Sequence, residues 1–191
     1  MNTTKTMDTK HTTMQPWTRW AGVVAAAWLG AVCGPAIAQG FPTPGPEHEG
    51  LKRLEGEWVA TIKSPEGDST GSATYKIVCG GLWVASDFHA EFGGQKFHGH
   101  GLDGYDPAKQ KYLSLWVDSM STQPLLFEGT MDKEKKVLTL RGEGPGPDGT
   151  RMKYRNETRF KDADHHTFVM YVVGEGGQET QMMTIEYARK K

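Results

Sequence analysis

Leu82-Trp-Val-Ala-Ser-Asp-Phe-His-Ala-Glu-Phe-Gly-Gly-Gln-Lys-Phe-His-Gly-His100 carries the logic of the whole fold. Side-chain character alternates with period two on both sides of Gly93-Gly94. That is the pattern of two strands joined by a tight glycine turn. With the turn centred on the glycines, Phe92 opposes Gln95, Glu91 opposes Lys96, His89 opposes His98 and Asp87 opposes His100. Directly opposed residues share one face of a sheet. One face therefore collects Asp87, His89, His98 and His100, and the other presents Val84, Phe88, Ala90, Phe97, Gly99 and Gly101 as an interior lining. A loop of odd length would shift the register and separate the histidines.

The same alternation runs outward in both directions. Upstream, Trp58, Ala60 and Ile62 alternate with Glu57, Val59 and Thr61, and Thr70–Cys79 follows. Downstream come Lys111–Ser119, Leu125–Met131, Lys136–Gly142, Arg151–Phe160, His166–Val173 and Thr180–Arg189. Short turns join these segments and leave no room for crossover helices. About ten sequential strands make an up-and-down antiparallel sheet, and closure into a barrel removes its exposed edges. A sandwich is the alternative architecture, but its long crossing connections are missing. Before the first strand, Glu47–Leu54 spells two helical turns with acids early and bases late, and Leu51 and Leu54 on one side to plug a barrel end. The expected fold is an all-β, ten-stranded antiparallel barrel after a short N-terminal helix and a cleaved signal peptide.

Residues 1–38 read as that signal peptide. Arg19 precedes an uncharged run, Trp20–Val32, too short to span a bilayer comfortably, and Ala36-Ile-Ala38 offers a peptidase its small residues. An uncleaved anchor is the other reading, and Met14 is a second candidate start. Cleavage before Gln39 leaves a flexible Gly/Pro-rich lead-in, 39–46, and one barrel domain, 47–191, periplasmic or secreted and without stable membrane insertion. The intact mass of the exported protein is expected to begin at Gln39; a mature species retaining Trp20–Val32 would overturn this. Residues 1–38 hold Lys5, Lys10, Arg19 and Asp8, so the remainder carries three more acidic than basic side chains. No basic run survives, and nucleic-acid binding lacks its electrostatic footprint. Cys33 leaves with the leader, so Cys79 has no disulfide partner and reads as a small buried hydrophobe.

Pro44-Gly-Pro-Glu-His48, Leu51-Lys-Arg-Leu54 and Gly56-Glu-Trp58 resemble the start of the bacterial domain of unknown function 1579 family. So do Gly101-Leu-Asp-Gly-Tyr-Asp106, Trp116-Val-Asp-Ser-Met120, Glu128-Gly-Thr130 and Ile185-Glu-Tyr-Ala-Arg-Lys190, in colinear order over about residues 44–190. The resemblance implies a lipocalin-like or fatty-acid-binding-like barrel. In such barrels a late-strand arginine packs over the first-strand tryptophan, which here implies Arg189 over Trp58. No reaction comes with the family.

Two constellations could carry chemistry. Asp87, His89, His98 and His100 suit a divalent metal, with imidazole and carboxylate donors. The same four facing water would make a ladder of polar pairs. His165-His166, adjacent on a strand, point to opposite faces and read as a solvated turn. The second constellation is the inward face: Phe88, Tyr154, Asn156, Thr158, Phe168, Met170, Met183 and Tyr187. Methionines, aromatics and a few amide or hydroxyl groups suit a cavity for a small hydrophobic or amphipathic ligand. They also suit a filled core. Nucleophilic motifs and phosphate cradles are missing, so no catalytic nucleophile and no organic cofactor are expected. A metal-assisted enzyme using the histidine cluster, and a structural or interaction module without ligand, are the alternative readings to a small-molecule-binding barrel.

Overall fold

The computed structural model describes residues 40–191 except Glu66, Pro147 and Asp148. The signal-peptide reading lies outside the described residues. A short helix, α1 (Pro46–Lys52), precedes ten strands. These are β1 (Gly56–Ser64), β2 (Gly67–Val78), β3 (Trp83–Phe92), β4 (Gln95–Asp106), β5 (Lys111–Asp118), β6 (Leu125–Met131), β7 (Val137–Pro145), β8 (Arg151–Phe160), β9 (His165–Val173) and β10 (Glu179–Arg189). Each strand pairs antiparallel with the next, and β10 returns to β1, so the sheet closes into a barrel. The closing register sets Trp58 opposite Arg189 and Ile62 opposite Ile185. Closure leaves no strand edge unpaired, which disposes of the sandwich.

The period-two pattern becomes a wall with two faces. Along β1 every second residue is buried: Trp58, Ala60 and Ile62 point inward, while Glu57, Val59 and Thr61 face out. The β3–β4 turn is two residues long, and Gly93 and Gly94 have φ of 56° and 81°. Both values lie where only glycine is unstrained, as the favoured hairpin turn requires. Pairing then runs unbroken from Phe92↔Gln95 to Trp83↔Gly104.

Helix α1 starts on Pro46, whose fixed φ suits the first helical position, and carries Glu47 and Glu49 early and Lys52 late. Leu51 and Leu54 are buried beneath it against Val84, Tyr112, Phe127 and Phe160. The helix thus plugs one end of the barrel. The Tyr112 hydroxyl donates to the Glu47 carbonyl at 3.1 Å, and Arg53 donates to the Lys135 carbonyl at 2.7 Å. A second cluster, Trp58, Ala60, Ile62, Phe88, Ile185 and Tyr187, continues the interior on the β1 side.

Two expectations need correction. Strand β2 stops at Val78, and Cys79 opens a tight turn with φ of 50°, exposed to solvent. Gly80 and Gly81 pull the chain out of the sheet one residue sooner than the apolar run Ile77-Val-Cys suggests. His166 is no part of a solvated turn: it is 2% exposed, inside the barrel, while His165 faces water 2.9 Å from Asp162. Strand β9 begins at His165, so the alternation of faces already applies at this pair.

Candidate functional site

The barrel interior combines an apolar lining with several buried polar groups. Inward positions on β4 are Phe97, Gly99, Gly101 and Asp103, and β5 continues with Ser114 opposite Asp103 and Trp116 opposite Gly101. The glycines make room: a Cβ at Gly99 would stand 2.2 Å from the Trp116 ring, and one at Gly101 would stand 2.3 Å from Ser86 Oγ. Asp103 points into the barrel with Ser114 opposite it on β5. Burial pushes the Asp103 carboxyl up to about 6, against the lowering effect of the Ser114 hydroxyl. Tyr75 and Tyr187 also point inward, and burial raises both phenols well above their usual range.

Asn156 on β8 is buried, and its Oδ1 has no hydrogen-bond partner. It lies between Leu140 and Met170 in the register. Phe88 is buried and meets Phe97, Trp116 and Tyr187 edge-on at 6.0–6.5 Å. Thr158, Phe168, Met170 and Met183 point inward yet stay only half-buried, as do Asp103, Tyr75 and Trp116. Surface left uncovered on inward side chains means that they do not close on one another completely. Tyr154 turns its hydroxyl to the wall and donates to the Pro145 carbonyl at 2.8 Å.

His166 occupies the plugged side. Its ring stacks on Tyr187 with centroids 4.4 Å apart and meets the Trp58 ring edge-on at 4.4 Å. Burial lowers its pKa to about 3, with Arg189 and Arg53 adding to the effect, so the imidazole is neutral. Arg189 lies over Trp58, its guanidinium carbon 4.1 Å from the ring centroid. The same guanidinium donates to the carbonyls of Arg53, Glu55 and Ala163. The Trp58 indole N–H donates to the Leu54 carbonyl at 2.7 Å.

On the outer wall, β3 and β4 set His89 opposite His98 and Asp87 opposite His100. Asp87 is within 2.6 Å of His89 Nε2, 3.3 Å of His98 Nε2 and 3.6 Å of His100 Nδ1. All four side chains are about half exposed. The cluster faces away from the interior, so the two constellations lie on opposite faces of the wall.

Sequence reasoning missed Asp103, Ser114, Tyr75 and His166. The signal for Asp103 was present: it continues the inward series Phe97, Gly99, Gly101 by one more step of two. Two open depressions lie elsewhere. A groove of about 230 Å³ runs beside α1 between Glu47, Tyr105, Tyr112 and Met131. The other follows the outside of β6 and β7, where Gly129 and Gly142 thin the wall.

The fold and interior define a closed ten-stranded up-and-down barrel, plugged at one end by a helix and carrying polar groups within. The chain belongs to the family described as proteins of unknown function, DUF1579, which matches residues 43–189. No curated protein matches it. Among solved structures it is similar to Rv2717c from M. tuberculosis, with 13% identity, a TM-score of 0.58 and coverage of 77% of this chain and 99% of that one. This likeness is one of fold. It is also similar to EF1p2_mFAP2b bound to DFHBI, with 11% identity, a TM-score of 0.44 and coverage of 75% and 99%. Among the described residues no helix is long and apolar enough to cross a membrane.

Proposed function

We propose that this is an exported barrel that holds a small amphipathic molecule in its interior. The observation that carries the reading is the presence of buried polar groups, one of them unpaired, in an incompletely covered lining. Asp103 is retained at a position where burial disfavours its charge. The Asn156 Oδ1 is an acceptor with no protein donor. A buried acceptor left unpaired costs about 1–3 kcal/mol, so a donor on a ligand would recover that loss. The ligand class follows. It carries a hydrogen-bond donor or a positive charge toward Asp103 and Asn156. Its apolar body lies along Phe168, Met170 and Met183, whose flexible thioethers adapt to irregular shapes.

Native mass spectrometry of the protein purified from its own host tests this. The expected result is a retained small molecule on the wild type and its loss from Asn156→Leu, with both proteins folded. A wild-type protein that carries nothing would sink the reading and leave a filled barrel.

A further inference from the structure

We infer that the outer wall of the barrel carries a divalent transition-metal site built from His98, His100 and Asp87, with His89 within reach as a fourth ligand. This site shares no residue with the interior and stands or falls independently of it. His98 and His100 are two residues apart on β4, so their side chains leave the same face of one strand. Asp87 stands directly opposite His100 on β3. One ligand atom from each of the three lies within 4.8 Å of the others. A four-coordinate zinc with bonds of about 2.0–2.2 Å holds its donors about 3.3 Å apart. Small rotations of half-exposed side chains cover that difference.

The arrangement of the rings adds to the case. His89 and His98 stack with centroids 4.2 Å apart and planes 14° from parallel, and His98 and His100 are 4.3 Å apart. All three imidazoles converge on one carboxylate. Elsewhere on the outer wall the carboxylates of Glu57, Glu179 and Glu186 pair with Lys190, Arg155 and Lys161. Among the described residues no lysine or arginine pairs with Asp87. The flanking residues on β2 opposite Asp87 and His89 are Thr74 and Ser72, and on β5 Val117 lies opposite His100. Three imidazoles with a carboxylate that pairs with no lysine or arginine among the described residues form a donor set suited to zinc, nickel or copper. The wall beneath is rigid, because the β3–β4 pairing is continuous through all four residues.

Isothermal titration of the untagged chain with zinc chloride at pH 7.5, in a buffer that does not coordinate metals, decides the matter. One ion per chain is expected, at micromolar affinity or tighter. His98→Ala and His100→Ala should each weaken it at least tenfold, and the double variant should abolish it. His165→Ala, whose ring pairs with Asp162 elsewhere on the surface, should bind as wild type does. Thermal unfolding supplies a second readout: zinc should raise the midpoint of the wild type and leave the double variant unmoved. Absence of heat at tens of micromolar zinc, or undiminished binding by the double variant, would overturn the site and leave a hydrogen-bonded ladder.

Discussion

Trp58→Ala should lower the stability of the barrel by about 3–5 kcal/mol, the range for removing a large aromatic from a core. The loss has three sources. The ring is 2% exposed, so truncation leaves a cavity between α1 and the barrel wall. The indole N–H satisfies the Leu54 carbonyl just beyond α1, and that bond disappears. Arg189 then loses the ring it lies on, while still holding the carbonyls of Arg53, Glu55 and Ala163. Urea unfolding followed by circular dichroism measures the difference. A loss under about 1 kcal/mol would mean that the plugged end is not closed by this residue.

Asp103→Asn should do the opposite and stabilise the protein without ligand at neutral pH, by up to about 3 kcal/mol. The folded carboxyl titrates near 6 against an ordinary value of 3.8. Between those values the folded state holds a proton that the unfolded state has released. Stability therefore falls as pH rises through this window, and the whole penalty is present above about 6. Asparagine keeps a side-chain acceptor opposite Ser114 and carries no charge.

His166 supplies the opposite slope. Its folded pKa is down at about 3 against an ordinary 6.5, so stability is lost as pH falls through that range. In the wild type the two slopes oppose each other between about pH 4 and 6. In Asp103→Asn that opposition is gone, and His166 should contribute a drop of about 1.4 kcal/mol per unit of pH there, to which the lowered carboxyls of Glu179 and Glu186 add near the acid end. Urea titrations at pH 7.5, 6, 5 and 4 read both effects. Equal stabilities of the two proteins at pH 7.5 would show that Asp103 is not buried as described. A gain there, together with weaker ligand retention, would mark Asp103 as a residue kept for binding at the expense of stability.

Strand content, the β3–β4 register and the helical plug were legible from the residues alone because they are local. Alternation with period two, Gly93-Gly94 at a two-residue turn and acids before bases in α1 each act within a few residues. The pairing of His89 with His98 and Asp87 with His100 follows from one turn length. Other features needed the closed barrel. Cys79 and His166 were misread because one residue more or less of strand reverses which face a side chain takes. Which inward residues meet across the interior depends on strand number and stagger, which no short segment encodes. The burial of Asp103 and the unpaired state of the Asn156 Oδ1 therefore emerged only in three dimensions. Burial behind the closed wall, which no local stretch of sequence encodes, is what disfavours the Asp103 charge and leaves the Asn156 Oδ1 unpaired.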